Sequence, residues 1–225
     1  MTDVTLGADD LNPRPERLSL REQLGGAPDP VFEISLPTGW VRREATQTQH
    51  EQLQSSLRDR LMQAHRPDLL ARLRPLVDDA FAKMAEESVI AFFTPGTGDD
   101  EALGLPASLI ASLRQAPVPG ENLDPLIRSL IREAGATPLL GDQRVLRFER
   151  EARQKVDDGE FLQTTVVYLT PVPGSDRRRA LQLTATIARP VDAPADDRPF
   201  VLMKALFDLC ASTVTWKPAV RAAGA

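Results

Sequence analysis

Two segments near the C-terminus constrain the fold more than any other part of the chain. In residues 180–188, Leu181, Leu183, Ala185 and Ile187 alternate with Gln182, Thr184 and Thr186. A period of two sends alternate side chains to opposite faces of a strand. Residues 161–169 precede it, and Thr164, Thr165, Val166, Val167 and Tyr168 all favour extended backbone. The turn residues between them, including Gly174-Ser175-Asp176, join the pair as an antiparallel hairpin. Residues 143–153 add a third strand, with Val145, Leu146 and Phe148 set among charges, and Asp157-Asp158-Gly159 supplies the turn after it. An antiparallel sheet follows from this run alone.

The first half reads differently. Residues 31–36 alternate, with Phe32, Ile34 and Leu36 on one face, before Pro37-Thr38-Gly39 turns the chain and Trp40-Val41 restart it. Leu53, Leu57 and Leu61 then recur every four residues, with Met62 beside them, which predicts an amphipathic helix stopped near Arg66-Pro67. A second helix is expected from about Asp68, with Leu69, Leu70, Leu73, Leu76, Val77, Phe81 and Met84 turned inward and a bend or restart at Pro75. Strands are predicted at 88–94 and 107–113, a helix capped by Asp124 and stopped at Gly135, and a last helix over 200–212 with Met203, Leu206, Phe207 and Cys210 facing in. The expected class is α+β: an antiparallel sheet flanked by helices, with an additional helical hairpin near residues 46–86. The domain should span 31–217. Residues 1–30 hold six acidic residues, three basic residues and four prolines, and read as a flexible arm; 218–225 form a tail.

Charge narrows the range of partners. The chain has 225 residues, 27 basic and 32 acidic, for a net charge of −5. That balance argues against nucleic acid, which needs a concentrated positive field. Of the basic residues 23 are Arg and four Lys, a bias that high-GC coding produces without any functional demand. The densest basic run, Arg177-Arg178-Arg179, looks like a solvated hairpin tip. No apolar stretch approaches the ~20 residues of a membrane span, and the N-terminus lacks the pattern of a secretory signal. A single cysteine, Cys210, suits a reducing compartment, with the cytoplasm as default.

Catalytic motifs are not evident. His50 and His65 lie about 22 Å apart along a predicted helix, too far to share a metal, and read as solvated. Cys210 reads as a core residue, and Ser108 and Ser112 as ordinary strand residues. Gly96-Thr97-Gly98 lacks the Lys of a P-loop, and Asp99-Asp100-Glu101 after it would repel phosphate. No catalytic, cofactor or metal site is predicted. Trp40 and Trp216 are the candidate interaction residues. Core packing close to one another is their first expectation, and the rim of a binding groove the functional alternative.

The order of elements, with Leu36-Pro37-Thr38-Gly39-Trp40 after the first strand and Thr213-Val214-Thr215-Trp216 after the last helix, resembles the PsbP-like α/β/α sandwich family. There P-x-G-W and S/T-x-x-W recur at those places. The resemblance covers roughly residues 31–217. It implies a role in binding, since members serve as photosystem subunits, small-GTPase partners, secretion-effector chaperones and actinobacterial lipoproteins, with no common active site. A non-catalytic protein-interaction module, adaptor or chaperone-like, is therefore expected. The alternative is a small-molecule or lipid binder with a cavity between sheet and helices, lined by Phe92, Phe93, Phe148 and Phe161.

Overall fold

The computed structural model describes residues 30–95, 105–118, 120–156 and 159–217. The arm over 1–29, the tail from 218, and the predicted turns at Gly96–Glu101 and Asp157-Asp158 lie outside them. Nine strands and four helices are described: β1 (Val31–Glu33), β2 (Trp40–Glu44), α1 (Gln47–Gln63), α2 (Pro67–Glu86), β3 (Val89–Pro95), β4 (Ala107–Gln115), α3 (Asp124–Ala134), β5 (Thr137–Leu139), β6 (Asp142–Val156), β7 (Gly159–Pro171), β8 (Arg179–Pro190), α4 (Arg198–Ser212) and β9 (Thr215–Lys217). Residues Phe32–Trp216 form one compact unit.

Seven strands make one antiparallel sheet in the order β2-β3-β4-β8-β7-β6-β5, and β1 pairs with β9 in a second, two-stranded sheet. The long ladders β6–β7 and β7–β8 are the two hairpins read from the sequence. Leu183 faces Tyr168 on one side and Ala111 on the other, and Ala185 faces Val166 and Leu109, so these side chains share one face. On that face they pack with Phe93 of β3 and with Phe200, Met203, Phe207 and Ala211 of α4 to form the main core. The opposite face carries Phe148, Val167 and Leu169, covered by Leu123 and Leu130 at α3. Helices thus flank the sheet on both sides, as the α+β expectation requires. Beyond its short pairing with β5, the rest of β6 has no partner strand on its outer side among the described residues, and its Glu149-Arg150-Glu151-Ala152-Arg153-Gln154-Lys155 run keeps that edge charged. Such a run discourages strand addition from another chain.

Several expectations need correction. The first strand is only three residues long; Phe32 is buried, while Ile34 and Leu36 reach the core from irregular backbone. α2 runs unbroken through Pro75, because the lost amide only deprives the Ala71 carbonyl of its donor on an exposed face. The predicted inner faces of α1 and α2 are only half-buried: Leu69, Leu70, Leu73, Val77, Phe81 and Met84 are partly covered, but neither helix has a fully buried residue, and Leu76 is 62% exposed. Asp124 is not a side-chain cap; it is the first helical residue, and its amide donates instead to Asn122 Oδ1 at 3.0 Å. β5 and β9, three residues each, carried no readable period.

Candidate functional site

The two tryptophans sit at the edges of the main core. Trp40, opening β2, meets Phe207 of α4 edge-to-face at 5.5 Å between centroids, and Trp216 in β9 meets Phe32 of β1 at 6.4 Å. Both are half-buried against the same cluster. Each packs on a different phenylalanine, so core packing is what their positions show.

The helical hairpin is held by a compact polar and aromatic joint. His50 Nε2 lies 2.8 Å from Asp78 Oδ1, and the amide nitrogen of Gln54 lies 3.1 Å from the same imidazole nitrogen and also donates to Asp78. The imidazole stacks on Phe81 at 4.5 Å, and Phe81 meets Phe92 of β3 edge-to-face at 6.0 Å. His50 is therefore not the solvated residue expected; its side chain is 16% exposed and ties α1 to α2. His65 has a left-handed φ of 54° and closes α1, with Arg66 N donating to Leu61 O and His65 N to Met62 O. Phe81 anchors α2 to the sheet, while Leu53, Met62 and Leu76 face solvent.

At the other side of the sheet lies an apolar cavity of about 490 Å³. Its floor is Leu146, Leu169 and Ala180, contributed by β6, β7 and β8. One wall is Leu123, Ile127 and Ile131, spaced by four so that they form one stripe along α3. The other wall is Ala136 and Pro138 beside and within β5. Arg144, Arg177 and Arg179 stand on its margin, with Asp124 the only carboxylate among the lining residues. Arg144 pairs with Asp142 at 2.8 Å and holds that carboxyl down to about 2, and Arg177 pairs with Asp124 at 3.1 Å. The arginine run is therefore no free tip. Leu123 N donates to Arg177 O and Ala116 N to Arg178 O, which stitches the β7–β8 turn to the chain on either side of the loop before α3. The four phenylalanines expected to line a cavity do not line this one. Phe93 is in the main core, Phe148 is buried beneath α3, Phe92 lies under Phe81 and Phe161 is half-buried in β7.

A third group of polar side chains locks α4 onto the sheet. Tyr168 donates to Asp208 Oδ1 at 2.6 Å, and Arg147 Nε donates to the same oxygen at 2.8 Å. Arg147 also reaches Glu149, which Lys204 approaches at 3.5 Å. Arg189, almost fully buried, donates to Glu151 at 2.9 Å and to Ala193 O, and lies over Phe200. Burial and the neighbouring Asp208 carboxylate push the Tyr168 hydroxyl far up, so it stays a donor. Burial alone would raise the Glu149 carboxyl, but Arg147 and Lys204 hold it below its ordinary value; Arg189 does the same for Glu151. These groups are committed to one another, and none is presented to a cleft as a nucleophile or free base. Cys210 is buried in α4, and burial pushes its thiol up, away from thiolate. Ser112 is buried in β4 and Ser108 half-buried. Among the described residues no three His, Cys, Asp or Glu side chains gather as metal ligands. No described helix is long and apolar enough to cross a membrane.

Comparison with protein-family models, with curated proteins and with solved structures yields no match.

Proposed function

We propose that this chain is a non-catalytic protein-interaction module, an adaptor or chaperone-like accessory protein whose helical hairpin engages another protein. One observation carries the reading: α1 and α2 together hold 37 residues, and none of them is buried. A helix pair normally gains its stability by burying an apolar face. Here Leu53, Met62 and Leu76 stay exposed, at 38–62%, while the His50–Asp78–Phe81 joint fixes the pair as a defined shape. A shaped, partly apolar surface of this kind suits a protein partner. The resemblance to PsbP-like sandwiches supports the same reading, because that family acts mostly by binding. A cytoplasmic setting belongs to the proposal too, supported by the lone buried Cys210.

The test is affinity purification of the full chain from its native host, beside Leu76→Glu and Met62→Glu variants. A stoichiometric protein partner that is lost with either variant, at unchanged circular dichroism and melting temperature, supports the proposal. Recovery of the chain alone under mild conditions overturns it.

A further inference from the structure

We infer that the cavity under α3 is a binding site for a single-chain anionic amphiphile, a long-chain carboxylate with its tail inside and its head at the arginine margin. The cavity lies on the β5–β6 side of the sheet, apart from the helical hairpin. At about 490 Å³ the cavity falls within the ~300–1,000 Å³ typical of small-molecule sites. Its floor and walls are aliphatic: Leu146 and Leu169 below, Ile127 and Ile131 at the side. This aliphatic part of the lining rewards methylenes, with Gln143 and Thr170 as the uncharged polar groups beside it. The margin carries the guanidinium groups of Arg144, Arg177 and Arg179, and the first two already hold carboxylates there, those of Asp142 and Asp124.

The two paired arginines show that this margin binds carboxylates. The Arg144 and Arg177 side chains are 84% and 71% exposed, so a carboxylate arriving from solution reaches both. A ligand carboxylate brought to the margin by its buried tail could take up the same fork of N–H donors. Arg177 is moreover held at the margin by a left-handed φ of 56°, in a turn whose Asp176 and Gly174 are left-handed as well. The preceding strand ends and the loop before α3 fix that turn through backbone hydrogen bonds, and Asp124 holds the guanidinium at 3.1 Å.

Isothermal titration of the full chain with octanoate, decanoate and dodecanoate tests this directly. Affinity should rise with each two added methylenes, by at most about fifteenfold per step. Dodecyltrimethylammonium, with a tail one methylene longer and the opposite charge, should bind at least tenfold more weakly than dodecanoate. Arg144→Gln and Arg177→Gln should each weaken dodecanoate by up to about tenfold without moving the melting temperature by more than a few degrees. Ile131→Gln, at a half-exposed wall position, should flatten the chain-length dependence. Equal binding of the cationic analogue, indifference to the arginine variants, or no dependence on chain length would each overturn the proposal. So would binding to phosphatidylglycerol vesicles with none to monomeric dodecanoate, which would make the margin a membrane contact.

Discussion

The Tyr168–Asp208–Arg147 lock makes a quantitative prediction about how α4 is held. Tyr168 is 1% exposed, and its hydroxyl donates to a carboxylate that is itself paired with Arg147. Hydrogen bonds to charged groups contribute about 1.5–3 kcal/mol net, and a buried group left unpaired costs about 1–3 kcal/mol. Tyr168→Phe loses the bond but strands nothing, since Arg147 still satisfies Asp208; the expected loss is about 1.5 kcal/mol. Asp208→Ala strands both the hydroxyl and one side of Arg147, so about 2.5 kcal/mol is expected. The double variant should lose little more than Asp208→Ala alone, which gives a coupling of about 1–1.5 kcal/mol. For a domain of this size each kcal/mol moves the melting temperature by about 2–4 °C, so Tyr168→Phe should fall by roughly 3–6 °C. Urea unfolding followed by circular dichroism measures all three variants in one series. Additive effects, within about 0.5 kcal/mol, would show that the two groups do not stabilise one another and that the lock is only proximity.

The same lock has a spectroscopic signature, because Tyr168 is the only tyrosine in the chain: alkaline titration at 295 nm should show no tyrosinate near pH 10, and signal only on unfolding. A raised folded value means that this contribution is full below about pH 10 and lost as pH rises beyond it; a phenol titrating normally in the folded protein refutes the geometry. At the acid end the sign reverses. Glu149 and Glu151 are depressed, so their stabilisation is full above about pH 4.3 and lost as pH falls through their folded values; Glu151→Gln should make the acid limb of a pH–stability curve shallower. His65→Gly should stabilise by about 0.5–1 kcal/mol, since a left-handed residue closing a helix favours glycine; a lower urea midpoint would count against it. Phe81→Ala should speed amide exchange throughout α1 and α2 while leaving β7 and β8 protected, because Phe81 joins the hairpin to Phe92; uniform deprotection would mean that the hairpin and sheet unfold together.

Elements were legible where one face is core and the other is not. β8 alternates because Leu183 and Ala185 touch α4 while Thr184 and Thr186 lie on the second face, and the period survives in the sequence. The same logic holds only in part at α2, where Leu69, Leu70, Leu73, Val77, Phe81 and Met84 are half-buried. Its apolar residues recur with helical spacing, which marks a helix but does not say that anything covers it; Leu76 obeys the period and remains exposed. At Pro75 no restart follows, since an exposed carbonyl can be satisfied by water and the helix continues. Three-residue strands such as β5 and β9 offer too few positions for any period to register.

The site was illegible for a different reason. The cavity draws Leu123 from the loop before α3, Ile131 from the helix, Arg144 from β6 and Arg177 from a turn, and no two of these are motif neighbours. Arg177-Arg178-Arg179 was visible as charge, but its meaning depends on the backbone bonds that fold the turn beside α3. His50 and Asp78 are 28 residues apart and meet only because the hairpin closes in one register. A periodic pattern encodes which side of an element is apolar; it does not encode which other element arrives there. In this chain the core follows from the first kind of information, and both candidate surfaces follow from the second. The hairpin is thus the surface a sequence could suggest by having too much amphipathic helix for one core. The arginine-rimmed cavity emerges only from the way α3, β5 and the β7–β8 turn converge on one end of the sheet.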